Sequence, residues 1–302
     1  MFRYSLYGLE LASELELALP PGLRPAEPAE ASIARGSPLA RLPATSGVAS
    51  ANGIVTMTIA GVACYRIGQG RSIEVCAHPR SDPDELALFL LGSAFGVLLQ
   101  QRGVLALHAN ALSDPARDGC DAIAVAGRSG SGKSTLAARL CAHGLKLLSD
   151  DVCAIGFAHG GAIAQPGVAR FRLWGEALDR LGWDRPARQV SHRIDKWEVG
   201  AVGHLAGPTP LRAIYALETV ADEAGVGGEA ISGADAVAAL MANSYRGDLL
   251  ELSGNRAWHF EQCLRLARTV PIFRWRRRWG HEHGEADTAA LLAHARGLRA
   301  VA

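Results

Sequence analysis

Residues 127–135 read Gly-Arg-Ser-Gly-Ser-Gly-Lys-Ser-Thr and satisfy the pattern G-x-x-x-x-G-K-[ST] in full. Such a loop holds phosphates. Gly127, Gly130 and Gly132 open backbone angles that a β-carbon blocks. Consecutive amide N–H groups, those of Ser129 and Ser131 among them, can then turn inward on a β-phosphate. A helix beginning near Lys133 adds the positive end of its dipole. Lys133 is long enough to reach the β- and γ-phosphates, the Ser134 hydroxyl suits Mg²⁺, and Thr135 completes the set. ATP and Mg²⁺ are the implied cofactors. The loop does not say what becomes of the terminal phosphate.

The segment "LKLLSDDVCAIG" ends an apolar strand on Asp150 and Asp151, only 17 and 18 residues after Lys133. One helix and one returning strand bring these carboxylates beside the loop. Adjacent strand residues face opposite ways, so one aspartate can face the γ-phosphate while the other touches the metal. A carboxylate near the γ-phosphate can take the proton of an incoming hydroxyl. The competing reading is an Asp-Asp turn that caps the next segment. His108, in "VLALHANAL", is a third candidate on the strand before the loop strand. A histidine in an apolar strand is otherwise a satisfied core residue.

The elements that must position these residues are visible as patterns. Ala122–Ala126 is the apolar strand entering the loop, residues 133–143 the helix leaving it, and "LKLLSDDVCAIG" the next strand. "RAIYALE" and "PIFRWRRR" read as further strands, and "GADAVAALMANSYR", "NRAWHFEQCLRLARTV" and "DTAALLAHARGLRAV" as helices. This alternation predicts an α/β domain over residues 81–302. Residues 1–80 read instead as short strands ("YSLYGLEL", "GIVTMTIA", "ACYRI", "SIEVCAH"), with a Pro- and Gly-rich loop from Pro20 to Asn52. Between the two, "SDPDELALFLLGSAFGVLLQQRG" carries helix start signals at Ser81, Asp82 and Pro83 and a stop at Gly103.

Composition narrows the function classes. The 302 residues are 49% hydrophobic and 20% charged, a globular balance. A net charge of +1 gives no general pull toward nucleic acid or anionic lipid. The six cysteines, Cys64, Cys76, Cys120, Cys141, Cys153 and Cys263, form no CxxC pair and read as buried free thiols. Glu10, Glu14 and Glu16 break the N-terminal apolar stretch, which argues against a signal peptide. The longest apolar stretch is interrupted by Gln100, Gln101 and Arg102. The expectation is a soluble, cytoplasmic protein.

Taken in order, "LHANAL … AVAGRSGSGKSTLAARLCAHGLKLLSDDVCAI" resembles the catalytic core of the HPr serine kinase/phosphorylase family, over residues of about 103 to 156. The resemblance implies a P-loop fold like that of phosphoenolpyruvate carboxykinase, with a smaller strand-rich N-terminal region. It implies His108 as an active-site histidine, Lys133 and Ser134 as phosphate and Mg²⁺ residues, and Asp151 as proton acceptor. Asp150 stands beside it, as a metal ligand with Ser134. Two departures stand out. Thr135 replaces a glutamate that the family carries, and the glycine- and proline-rich signature linked to phosphorolysis is not visible. Glu176 has the spacing of a second metal ligand in surroundings that do not match, and reads as a surface helix acid. "YSLYGLEL", "PGVARFRLW" and "PLRAIYAL" resemble a divergent branch associated with lasso-peptide biosynthesis, whose members phosphorylate a precursor peptide on a serine at or near its C-terminus.

Phosphoryl transfer needs cations beyond one lysine. Lys196, Arg212 and Arg246 are the candidates, each with a bland reading as a solvated surface charge. The run Arg276-Arg277-Arg278, between Trp275 and Trp279, reads as a site for an acidic peptide or as a solvated strand edge. Trp174 and Trp197 could stack on adenine or pack in the core. The expected activity is an ATP- and Mg²⁺-dependent serine kinase acting on a peptide or small protein, with neither nucleic acid nor membrane as partner. HPr(Ser) kinase/phosphorylase, a small-molecule kinase and a non-catalytic nucleotide-binding regulator remain open alternatives. The N-terminal region would position the substrate or assemble a homo-oligomer.

Overall fold

Seven short strands make the first sheet: β1 (Phe2–Leu6), β2 (Leu9–Ser13), β3 (Ala31–Arg35), β4 (Gly47–Ala51), β5 (Ile54–Ile59), β6 (Ala63–Gly68) and β7 (Ser72–Ala77). Their order is β1-β2-β3-β7-β6-β5-β4. The β2–β3 and β3–β7 pairs are parallel and the others antiparallel. Period-two alternation buries Tyr65 and Ile67 on one face of β6 and leaves Arg66 outside, paired with Glu74 at 2.8 Å. The expected helix begins at Asp82, whose carboxylate caps the Asp84 N–H at 2.8 Å, with Pro83 in the first turn. It runs as α1 (Pro83–Phe89), a π-helical turn (Leu90–Ala94) and α2 (Phe95–Gln101). Of its most apolar window, 67% is buried.

The computed structural model describes all residues but 18, 20–28, 117–120, 159, 186–187, 192–193, 201–206, 221–226, 279, 281 and 299–302. Cys120, Trp279 and part of the Pro20–Asn52 loop lie outside the described residues. The chain forms two units: Met1–Ala106 with Arg246–His259, and Leu107–Tyr245 with Phe260–Ala302. The expected division near residue 80 thus differs from the observed one, in which α1, α2 and a later excursion of the chain join the first unit. The chain passes from the first unit to the second along β8 (Leu105–Leu107).

The second unit is a mixed α/β layer. It contains β9 (Ala109–Ser113), β10 (Ala122–Ala126), α3 (Lys133–Ala142), β11 (Lys146–Ser149), β12 (Cys153–Ala158), β13 (Gly161–Ala164), β14 (Arg170–Trp174) and α4 (Gly175–Leu181). It continues with β15 (Gln189–Ser191), β16 (Ile194–Gly200), β17 (Thr209–Val220), β18 (Gly227–Ile231) and α5 (Gly233–Ala242). After α6 (Leu250–Ser253) in the first unit come α7 (Arg256–Thr269), β19 (Ile272–Arg278) and α8 (Gly284–Gly297). The main sheet runs β11-β9-β10-β17-β13-β12, and β19 with β18 branches from β17. β10 pairs parallel with β17, and β17 parallel with β19. All five residues of β10 are buried, as expected of a strand covered on both faces. β14, β16 and β15 form a separate small sheet.

The helix leaving the loop is held by its own periodicity. Lys133, Leu136, Ala137 and Leu140 recur at i, i+3, i+4 and i+7 and are all buried. Leu136, Ala137 and Leu140 join a core of Leu112, Ile123, Val125, Phe171, Tyr215, Phe273, Trp275 and Leu291. Burying a large apolar side chain of this kind contributes about 1.5–3 kcal/mol, so the helix start is anchored to the sheet by tertiary packing. The five described cysteines are free thiols, with Cys76, Cys153 and Cys263 buried.

Candidate functional site

Three strand ends converge at one edge of the main sheet. β9 lies between β10 and β11 and is antiparallel to both, with Ala109 opposite Ala126 and Ala111 opposite Ser149. The start of β9 therefore sits beside the ends of β10 and β11. His108, Gly127 and the Asp150-Asp151 pair are the residues next in line at those ends. The expected single strand through "VLALHANAL" breaks at His108, between β8 and β9. There the His108 N–H donates to the Asn243 carbonyl at 2.7 Å, and its carbonyl accepts from the Gly127 N–H at 3.4 Å.

Gly130 and Gly132 sit at φ +83° and +78°, a region that side chains rarely adopt. A β-carbon on Gly127 would lie 2.7 Å from Ser131 Oγ, which is buried and unpartnered. Lys133 Nζ folds back along the loop and donates to the carbonyls of Gly127 (2.7 Å) and Arg128 (3.0 Å). Burial pushes this ammonium down to about 8, against the opposing charges of Asp151 and Asp150 and in step with the nearby charge of Lys196.

The two aspartates part company. Asp150 is buried, and its Oδ1 accepts from Asn110 Nδ2 and, at 3.3 Å, from Ser134 Oγ. Its Oδ2 accepts from the Arg172 N–H at 3.3 Å. Burial, then the charge of Asp151, pushes the Asp150 carboxyl up to about 7. Asp151 turns the other way, and its Oδ1 lies 2.9 Å from His108 Nε2. Burial raises its carboxyl. The His108 hydrogen bond and charge, with the charges of Arg172 and Lys133, outweigh that and hold it at about 2. Strand alternation is not what separates the pair. β11 ends at Ser149, and Asp151 takes φ +66°, a left-handed turn unusual outside glycine. His108 also meets the buried Tyr245 ring edge-on at 5.9 Å between centroids.

Lys196, opposite Trp174 in the small sheet, holds its ammonium 4.8 Å from that indole's centroid and is near enough to depress the Lys133 pKa. Arg212 is not at the loop. It precedes Ala213, the partner of Ile123, at the opposite end of the parallel strands. There it is buried, donates to the Ala295 carbonyl and lies 3.6 Å from Asp121. A cation at the entry of a parallel strand is a whole strand's length from a site at its exit. Arg246 belongs to the first unit, where its carbonyl accepts from Gln100 Nε2 at 2.9 Å. Glu176 is an exposed helix acid paired with Arg180. Trp174 is half exposed, and Trp197 packs beside the core with its N–H on Asp195 at 2.7 Å.

Asn110 and Arg172 escaped sequence reasoning. Asn110 faces Asp150 from the interior of β9, where its only signal was an amide in an otherwise apolar strand. Arg172 contributes a backbone N–H, which leaves no trace in a side-chain pattern. Arg277 escaped too, within the run read as a site for an acidic peptide or as a solvated strand edge. Its Nη2 lies 3.0 Å from where a β-carbon on Gly132 would sit.

These residues fit a nucleotide and a divalent ion. The glycine-lined loop leaves room that β-carbons would fill, and Lys133 stands over it. Ser134 and Asp150 present a hydroxyl and a carboxylate side by side, the hard oxygen donors that Mg²⁺ takes. Among the described residues no three His, Cys, Asp or Glu gather around one point. An ion here would rest on Ser134, Asp150 and the phosphates it serves.

No protein-family model matches the sequence, and no curated protein matches it. Among solved structures, the HPr(Ser) kinase/phosphatase from Coxiella burnetii aligns over 63% of this chain and 96% of its own, at 11% identity and a TM-score of 0.35. A likeness that loose says nothing about individual residues.

Proposed function

We propose that this chain is an ATP- and Mg²⁺-dependent kinase that transfers the γ-phosphoryl group to a serine hydroxyl of a peptide or small protein. The observation that carries the reading is the splitting of the aspartates beside a complete phosphate loop. Asp150 turns to the Ser134 hydroxyl, and Asp151 turns to His108. Lys133 leaves its carbonyl partners to neutralise the β- and γ-phosphates. Ser134 and Asp150 hold Mg²⁺, which when bound screens charge on the phosphate oxygens. Asp151, held ionised by His108, accepts the serine proton as the serine oxygen bonds to the γ-phosphorus and the bond to the β-phosphate oxygen breaks. Lys196, near enough to depress the Lys133 pKa, would add positive charge for the phosphates.

The peptide class rests on the sequence resemblance described above, which favours the C-terminal serine of a lasso-type precursor. On this reading the protein works in the cytoplasm, without a nucleic-acid or membrane partner. The test supplies γ-labelled ATP and Mg²⁺ with a peptide ending in serine, the same peptide ending in alanine, and purified HPr. Label on the serine peptide alone is expected. Label on HPr alone would move the acceptor to that protein. Nucleotide binding without a labelled acceptor would indicate a regulator that only binds.

A further inference from the structure

The arginine run in β19 has two faces. Arg274 and Arg276 point toward Glu218 and Glu229 on neighbouring strands, with Arg276 Nη2 2.8 Å from Glu229. Alternation puts Phe273, Trp275 and Arg277 on the other face, and the first two belong to the core that covers α3 and α8. Arg277 is thus a cation at a position whose pattern assigns it to the interior. Register fixes its height along the sheet. Ala126 pairs with Ala216 and Ala216 with Arg274, so Arg277 lies three residues beyond the last loop-strand residue, level with the phosphate loop.

There Arg277 borders a hollow of about 60 Å³ lined by Gly132, Thr135, Leu136, Arg139, Gly280 and Gly284. That is room for roughly four water-sized groups, the scale of one phosphate. The Arg277 Nε is buried without a hydrogen-bond partner. Arg139 lies flat against Gly284, where a β-carbon would come within 3.0 Å of Cζ, and its Nη1 is 3.2 Å from Glu285. The two arginines repel each other. The buried Asp287 offsets Arg277 in charge, yet neither of its carboxylate oxygens has a hydrogen-bond partner. An anion between the two guanidinium groups would relieve the repulsion, with Arg277 Nη2, the atom beside Gly132, turned to the loop.

The direction of a bound chain follows from the helix. Successive residues are turned by 100°, so Ser134 faces Asp150 while Thr135 faces the hollow. We propose that this hollow binds the α-phosphate of the nucleotide, with Arg277 and Arg139 as its clamp, and that the nucleoside leaves the site on this side. The inference rests on the phosphotransferase reading of the loop.

Calorimetric titration of the full chain with Mg²⁺-ATP and with Mg²⁺-pyrophosphate separates the possibilities, because pyrophosphate fills the β and γ positions alone. Arg277→Gln should weaken ATP about tenfold and leave pyrophosphate unchanged, and Arg277→Lys should recover part of the loss. Arg139→Gln should weaken ATP in the same selective way, and thermal melting confirms that each variant is folded. Equal weakening of both ligands, or of neither, overturns the proposal. So does inorganic phosphate binding to ATP-saturated protein, which would mark a separate anion site. If the unsubstituted protein binds neither ligand, the phosphate-loop reading fails and takes this inference with it.

Discussion

His108 Nε2 stands 2.9 Å from Asp151 Oδ1, and this contact holds the carboxylate ionised against the cost of its surroundings. A base that must accept a proton at neutral pH gains little from so low a pKa by itself. The contact fixes the direction of the carboxylate and keeps it unprotonated when phosphate charge enters the site. Asp151→Asn should therefore retain nucleotide binding and lower kcat by ~10²–10⁴-fold. His108→Ala should lower kcat less and move the acid limb of the pH–rate profile upward from about 2, because burial alone raises the Asp151 carboxyl. An unmoved acid limb would show that His108 does not control that group.

Asp150 titrates in the opposite sense. Its folded pKa, raised to about 7 from an ordinary 3.8, means that the folded protein holds a proton that the unfolded chain has released. The stability this contributes is complete below pH 3.8 and is lost as pH rises through about 7. Asp150→Asn keeps an acceptor for Asn110 and Ser134 and removes the buried charge. The variant should melt higher than the unsubstituted protein at pH 8.5, with the gap narrowing to about half at pH 5.5 and closing below pH 3.8. Equal differences at both pH values would place the Asp150 titration outside this window.

The phosphate loop, the strand before it and the helix after it are legible in sequence because their chemistry is local: eight consecutive residues, Gly127–Ser134, carry the pattern. The placing of His108 with the aspartates was implied by the family resemblance and not by spacing. Its mechanism was not legible, because the separation of Asp150 from Asp151 depends on one backbone angle at Asp151 rather than on strand alternation. The register of the main sheet brings in Asn110 and Arg277, while Arg172 comes from the separate small sheet through its backbone N–H. Arg212 shows the converse. Its residue type suggests a phosphate ligand, but only the direction of β17 tells which end of the sheet it occupies.

Lys133 gives nucleotide binding its own pH dependence. Its ammonium, pushed down to about 8 by burial, loses its proton within the alkaline range when no phosphate is present. Bound phosphates favour the charged form, so binding above pH 8 must take up a proton, and affinity should fall as pH rises. Titrations in buffers of different ionisation enthalpy should show proton uptake at pH 9 and little at pH 6.5. Lys133→Met should abolish this dependence and weaken ATP by about 10²-fold.

The loop's tolerance of side chains offers a test that does not touch any charged group. Gly127→Ala would place a methyl 2.7 Å from Ser131 Oγ and 3.3 Å from Leu217 Cβ. The first contact forces the loop to move, while the second needs only a few tenths of an ångström. The variant should lose roughly 5–100-fold in nucleotide affinity, the range of overpacking costs. Ser131→Ala alone removes a buried hydroxyl with no hydrogen-bond partner and should cost little. The double variant Gly127→Ala/Ser131→Ala removes the closest clashing atom and should recover most of the affinity. If it binds no better than Gly127→Ala alone, the loop is set by Leu217 from β17 rather than by its own serine. Substitution of Leu217 by glycine, which removes that Cβ, in the Gly127→Ala background would then restore binding instead.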